Sequence, residues 1–507
     1  IAGVSSVNTV TFQSESGDSS LVILSFNPAL SDNYTLQFNG ADYTTFRQMT
    51  IRALGATYST AVRFENSSSN NSVRNCSLEG STTTSTSLNL SVITEGVGTN
   101  ADNTLDNNLI KNGSYGIYYI GPATGVTLQN NTFSNQYYMA IYLSGITGVT
   151  VQGNSVTSNT SYTSYYGIYL YDCDQNIKVL KNKVSIITGT YGIFLYFCDG
   201  LSGNRGLTAN NFVSIGGSAG SAIGIYTYQC NYQNIYHNSV NITKPGASNY
   251  SFYQGAATGN SNYQLQNNIF ANTGGGYAIY ITQTTSVNIS NYNDFYVTGL
   301  YLGWWNANRT TLSAWQAASF LDMNSAVVDP EFVSESDLHT QAYLADNLGF
   351  PVSEVTDDID GQIRSLSTPD MGADEWTTPV NDAGITSIDQ GLTYCIVNDS
   401  VFVSIKNSGT ANLATATINW QVNSVTQTPY SWTGSLTQGN SQGPFSIGFF
   451  NFNHGTPYSG KAWTTNPNGF PEGLNHNDTA QSSNTYKAMS GAYTIGGVSP
   501  DYASFGA

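Results

Sequence analysis

Apolar and polar side chains alternate in short runs through roughly the first 300 residues, and each run is too brief for a helix. One run type places an apolar residue three positions before an Asn and another two positions after it. It occurs at Leu105/Asn108/Ile110, Leu128/Asn131/Phe133, Val151/Asn154/Val156, Val179/Asn182/Val184, Leu207/Asn210/Phe212, Ile235/Asn238/Val240 and Leu265/Asn268/Phe270. Cys76 takes the Asn slot between Val73 and Leu78, Met49 takes it between Phe46 and Ile51, and a looser copy ends Asn293-Asp294-Phe295. Successive slots lie 23 to 32 residues apart. That period is too short for a helix pair, and the Thr, Ser, Val, Ile, Tyr and Asn content suits strands and turns. A second run lies upstream in most copies, as in Gly116-Ile117-Tyr118-Tyr119, Gly167-Ile168-Tyr169-Leu170 and Ala278-Ile279-Tyr280-Ile281. Its alternation turns Ile117, Ile141, Ile168, Ile193, Ile225 and Ile279 inward. These units predict coils of two or three short strands, each pairing with its equivalent one coil away. The slot residues Asn108, Asn131, Asn154, Asn182, Asn210, Asn238 and Asn268 are expected as scaffold. Asn tolerates the left-handed backbone of a sharp turn, and amides stacked about 4.8 Å apart bond from coil to coil.

This pattern resembles the right-handed parallel β-helix repeat family over about residues 35 to 300. The resemblance implies an all-β solenoid and no single activity, because lyases, hydrolases, epimerases, tailspikes and adhesins share that fold.

Periodicity fades after residue 300. Thr310-Thr311-Leu312-Ser313-Ala314-Trp315 reads as a capped short helix, and residues 301–376 are expected to finish and cover the solenoid of residues 1–300. Asp358-Ile359-Asp360-Gly361-Gln362-Ile363-Arg364 and Gly372-Ala373-Asp374-Glu375 are similar to the segment that closes many secreted β-helix domains, which implies a domain end rather than a catalytic site. Residues 377–380 form a linker, and 381–487 read as a β-sandwich with strands at Val401–Ile405, Thr415–Trp420, Gln427–Trp432 and Phe445–Phe450. Val401 to Thr410, Thr417 to Trp420 and Trp432 to Leu436 are similar to CARDB-like immunoglobulin-type modules. Residues 488–507, with Ser490 to Gly497 and Pro500 to Phe505, look like the opening of another β-helix, while residues 1–45 look like one already under way. Together these features resemble giant tandem-repeat surface proteins exported by the type IX route of Bacteroidota. The resemblance implies an extracellular or cell-surface location and neighbouring repeats as partners.

Composition narrows the partners. The 507 residues carry 32 acidic and 15 basic side chains, a net charge of −17, with only 9% of positions charged. An acidic balance without basic clusters argues against nucleic acid and anionic membranes. No apolar run reaches the 18 or so residues that span a bilayer. Five cysteines form no metal or redox motif. Cys173, Cys198 and Cys230 fall in one slot and are expected to stack on successive coils, either as thiols or bridged, while Cys76 and Cys395 stand alone.

Candidate chemistry is sparse. Asp174, Asp199 and Asn231 are expected in one column, with Asp172 two residues before Asp174, which sets two carboxylates close to the about 5–5.5 Å of a retaining glycosidase pair or in position to hold Ca²⁺. Lys178, Lys181 and Arg205 lie in other columns, and His237, His339, His454 and His476 stand beside no nucleophile or metal set. Asp357, Asp358 and Asp360 form a weak Ca²⁺ candidate, and no other cofactor is implied. Ser400 and Thr479 match a short O-glycosylation motif. The distinctive surface feature is a predicted outward column, Tyr118, Tyr142, Tyr169, Phe194, Tyr226, Tyr253 and Tyr280, with Tyr171, Tyr196 and Tyr228 beside it. Such a column, about 29 Å long, either braces the sheet or offers a platform to sugar rings or a neighbouring fibre. The sequence therefore points first to a structural or adhesive unit of an extracellular fibre or stalk. Polysaccharide binding through the Tyr column, and a lyase or hydrolase using Asp174 and Asp199, are the alternatives.

Overall fold

Three parallel sheets run the length of the first of two units in the computed structural model, which describes residues 3–342, 344–389, 400–453, 456–473, 477–486 and 494–500. The chain divides at Trp376/Thr377. In the first unit, sheets of 11, 10 and 12 strands wind as a right-handed parallel β-helix. A representative coil consists of Tyr166–Tyr171, Lys178–Leu180 and Lys183–Ile186. Each of these strands pairs in parallel with its equivalent in the coils before and after. Ile117, Ile141, Ile168, Ile193, Ile225 and Ile279 all point inward and are fully buried, as the alternation requires.

The corner between the second and third strands carries the Asn column. Asn131 accepts the Asn108 backbone N–H at its Oδ1 (3.0 Å) and donates its Nδ2 to the Leu105 carbonyl (2.9 Å). The same pair of bonds repeats through Asn154, Asn182, Asn211, Asn238, Asn268 and Asn293. Each amide thus partners a donor and an acceptor that the turn has withdrawn from both sheets. Two expectations are corrected here. Asn211, not Asn210, occupies the slot, with Thr208 and Val213 as its flanking inward residues. The left-handed residue is not the ladder Asn but the one before it: Asn107, Asn130, Gly153, Lys181, Asn210, His237 and Asn267 have φ between 50° and 65°. The ladder Asn is selected for its amide, and the preceding position for tolerating positive φ.

The ladder ends on a carboxylate. Asn293 donates to Asp322 Oδ1 (3.1 Å), and the fully buried Asp322 also receives the Trp315 indole N–H (2.8 Å). Trp315 lies on the helix Leu312–Ser319, capped by Thr311, and packs against Phe295 and Trp305 at the end of the core. Residues 329–376 do something the sequence did not suggest. Rather than covering the end, they run back along the flank of the coils as a strap. Phe350 bonds Asn267, Arg364 donates to Asn210 Oδ1 (2.8 Å), Asp357 pairs with Lys181 (2.6 Å) and Asp360 pairs with Lys183 (3.2 Å). Apolar residues of the strap, among them Leu338, Ile359, Val355 and Met371, pack against Phe212, Tyr236 and Ile269. Within 358–375, buried Arg364 binds Glu375 (3.1 Å) and Asn210, while Asp358 accepts the N–H groups of Asp360, Gln362 and Glu375.

In the second unit, Ala383–Asp389, Ser400–Asn407 and Ser441–Phe449 form one antiparallel sheet. The other contains Leu413–Val422, Val425–Thr426, Tyr430–Leu436, Pro457–Thr465 and Thr479–Tyr486. Val401, Val403, Ile405, Ile418, Trp420 and Trp432 form its core. Pro457–Thr465 and Thr479–Tyr486 escaped prediction because Pro, Gly, Ser and Asn interrupt their alternation.

Asn182→Ala leaves the buried Asn154 N–H and Val151 C=O without partners, and should cost about 1–3 kcal/mol per group, read as a lower urea midpoint. The strap should be pH-sensitive. Burial alone pulls His339 down, but its bonds to Asp360 (2.6 Å) and Asp337 outweigh this and hold it above its ordinary 6.5. A raised folded pKa stabilises fully below the unfolded value and loses that contribution as pH rises through the folded one. Asp360, by contrast, is desolvated but held below 3.8 by His339 and Lys183, so its contribution fades only in acid. Burial also raises Asp374 to about 6 and Asp370 to about 8, so these strap carboxyls withdraw stability as pH climbs above their unfolded value. Limited proteolysis of residues 329–376 should therefore be slowest near about pH 4 and quicken as pH rises, and His339→Gln should flatten the part of that rise above about pH 6.5.

Candidate functional site

The tyrosine-bearing sheet presents the least ordinary surface of the molecule. Strand register places Tyr118, Tyr142, Tyr169, Phe194, Tyr226, Tyr253 and Tyr280 opposite one another in a single column. Trp304 continues it, stacked on Tyr280 at 5.3 Å. Neighbouring rings are 4.3 to 5.3 Å apart, with interplanar angles as low as 4° for Tyr226–Tyr253 and 8° for Phe194–Tyr226. Tyr142–Tyr169 and Tyr253–Tyr280 meet edge to face. A flanking column includes Tyr115, Tyr166, Tyr191, Tyr250 and Tyr277, and Tyr171, Tyr196 and Tyr228 form the other flank. The first flank went unpredicted. Its signal was the Tyr three residues before the column in Tyr166-Gly167-Ile168-Tyr169 and its relatives.

Orientation decides what this surface can do. Rings that stack along the solenoid axis cover one another's faces, so most of the column shows edges and hydroxyls rather than flat faces. All members except buried Phe194 are half-buried. The seven strands that carry Tyr118 to Tyr280 contain no Asp, Glu, Lys or Arg. Burial, reinforced by neighbouring phenols, raises Tyr169 and Tyr226 and pushes Tyr280 up to about 12, so these hydroxyls stay neutral. The result is an uncharged ridge of phenol edges that both donate and accept hydrogen bonds.

The remaining candidates are built into the scaffold. Asp174 Oδ1 accepts the Asp199 N–H (2.9 Å), and Asp199 Oδ1 accepts the N–H and Nδ2 of Asn231 (2.9 and 2.8 Å). These carboxylates therefore act as ladder residues at another corner, and burial raises both. Cys173, Cys198 and Cys230 are free, buried thiols that donate to the carbonyls of Leu143, Leu170 and Leu195. Cys76 is also free and buried, whereas Cys395, His454 and His476 lie outside the described residues. Arg205 binds the Gln233 carbonyl (3.3 Å) and the Asn234 side chain, and Lys181 pairs with Asp357. His237 is fully buried beside Asn267, and burial holds it neutral. Asp357, Asp358 and Asp360 diverge into separate strap contacts. Ser400 is only 6% exposed within its strand, and Thr479 is half-buried opposite Trp463.

The family described as periplasmic copper-binding protein (NosD) matches residues 5–162 and 81–244, the portion that carries most of the solenoid repeats. No curated protein matches the chain in sequence. Among solved structures, the chain is similar to the A-module of mannuronan C-5 epimerase AlgE6 from Azotobacter vinelandii, with 12% identity, 61% of this chain and 88% of that one covered, and a TM-score of 0.42. It is also similar to a cysteine-to-alanine mutant of DFA-IIIase from Arthrobacter chlorophenolicus A6 in complex with DFA-III, with 11% identity, 62% and 68% covered, and a TM-score of 0.28. The chain carries a parallel β-helix, and the NosD family is what residues 5–162 and 81–244 of it are similar to.

Proposed function

We propose that this protein is a structural and adhesive unit of an assembly outside the cytosol, a stiff β-helical rod whose uncharged tyrosine ridge is its contact surface. The observation that carries this reading is the eight-ring column, braced by two flanking columns and lacking any charged side chain on its strands. Ring-on-ring stacking stiffens the sheet, and the exposed hydroxyls suit a neutral, hydrogen-bonding partner. The description of the matching family as periplasmic supports a location outside the cytosol. The involvement of Asp174 and Asp199 in backbone bonding favours a scaffold role over hydrolysis. We place the second unit with immunoglobulin-like, CARDB-type modules, and the whole chain with tandem-repeat surface proteins of the type IX route. The two antiparallel sheets around a separate core support the first placement.

A glycan-binding role for the ridge is the second reading, and the neutrality of the face favours uncharged polysaccharides over uronates. Affinity electrophoresis in gels containing a neutral β-glucan or a polyuronate tests it. Retardation by the neutral polymer alone, weakened about tenfold in a Tyr169→Phe/Tyr226→Phe double variant that keeps the rings, is the expected result. Retardation by polyuronate, with unsaturated products that disappear in Asp174→Asn, would overturn both readings. The stack itself makes a separate prediction. Tyr226→Ala should cost about 0.5–1.5 kcal/mol for each of its two stacked neighbours within the column, Phe194 and Tyr253, beyond lost burial, read by urea unfolding, and Tyr226→Phe should cost far less.

A further inference from the structure

We propose that Asp382, Glu472 and Asp478 hold a calcium ion in the second unit. Each offers one carboxylate oxygen, and these atoms lie within 4.8 Å of one another. Asp382 immediately precedes the strand Ala383–Asp389, Asp478 immediately precedes Thr479–Tyr486, and Glu472 comes from the loop before it. The fold thus gathers three acids from sequence positions about 90 apart, a grouping no local motif announces.

Independent of this clustering, several oxygens at the site are buried without a partner. Asp382 is fully buried and Asp478 is 6% exposed. Glu472 uses Oε1 to accept the Ala383 N–H (2.8 Å), but its Oε2 has no hydrogen bond, and neither does Asp478 Oδ1. Asn477 donates Nδ2 to Asp382 Oδ2 (2.7 Å), which fixes its amide beside the acids while its own Oδ1 stays unpaired. No lysine or arginine among the described residues forms a salt bridge with Glu472 or Asp478. Buried acceptors and charges left in this state are costly, and native proteins satisfy them. Burial, and then the mutual field of the acids, push Glu472 up to about 7 and Asp478 up to about 8.

Donor chemistry selects the ion. Every available ligand is a carboxylate or amide oxygen, which suits a hard cation and excludes the nitrogen and sulfur sets of zinc or copper. The donors come from two strand starts and a loop, an irregular arrangement that a six- to eight-coordinate ion completes with water. Mg²⁺, with its short and rigid octahedron, fits such a set poorly. A bound ion would tie the start of Ala383–Asp389 to that of Thr479–Tyr486.

The test uses the whole chain, dialysed against a chelator and titrated with CaCl₂ by calorimetry. One site is expected, with a dissociation constant of about 10⁻⁴–10⁻³ M, as in extracellular modules. It should be lost in Glu472→Gln and Asp478→Asn and retained in Asp174→Asn and Asp357→Asn. CaCl₂, but not NaCl of equal ionic strength, should raise the thermal midpoint of the wild-type chain. That measurement needs no variant and stands even if the substitutions fail to fold. Absence of wild-type binding in this range, absence of the calcium-specific thermal shift, or binding that survives Asp478→Asn but not Asp174→Asn or Asp357→Asn overturns the proposal.

Discussion

Everything in the solenoid depends on how its sharpest corner satisfies the backbone. A parallel coil that turns within two residues removes an N–H and a C=O from both adjoining sheets and buries them. One Asn amide per coil meets both needs, accepting from the previous ladder residue and donating to the carbonyl three positions before it. The same bond fixes the offset between coils. That offset places Ile over Ile inside and Tyr over Tyr outside, so the aromatic ridge is a consequence of the ladder. Cys173, Cys198 and Cys230, and then Asn260 and Gln283, perform related work at another corner, where a thiol or an amide meets the backbone of the adjacent coil.

A ladder of this kind has an end, and the chain closes it with its scarce ionisable groups. Asp322 receives the last amide and an indole N–H together, while Trp315 seals the apolar core behind it. Arg364, Lys181 and Lys183 fasten the strap to the flank, and His339 ties two stretches of the strap together through Asp360. Ion pairs lie on the strap and on the first coils, as at Arg52–Glu79 and Arg63–Glu65, whereas the seven strands that carry Tyr118 to Tyr280 hold no charged side chain. This division explains why a chain with a net charge of −17 can still present a neutral face.

How much of this could be read from the residues depended on whether the governing contact was local or distant. The ladder, the inward Ile column and the Trp315 helix were legible because each follows a short period or a cap. The Asn210/Asn211 doublet was misread for a physical reason. Phe212 points outward yet is buried, because the strap brings Leu338 and Ile359 against it, so it imitates a core residue. The true inward partner is Thr208, whose polarity hid it. Ring orientation was not legible either: alternation says which residues face out, but only the coil offset decides whether faces or edges are shown. The strap, and the union of Asp382 with Glu472 and Asp478, rest on long-range contacts that leave no local pattern.

If coil stacking makes the tyrosine sheet a contact surface, a bound polymer must cover its column. Hydroxyl-radical footprinting of the whole chain, with and without a saturating neutral β-glucan, tests it most directly at residue level. Protection is expected to concentrate on Tyr142, Tyr169, Tyr226 and Tyr253, with Tyr292, Tyr296 and Tyr430 unchanged. Bound glucan that protects those latter residues, or none of the column, would contradict it.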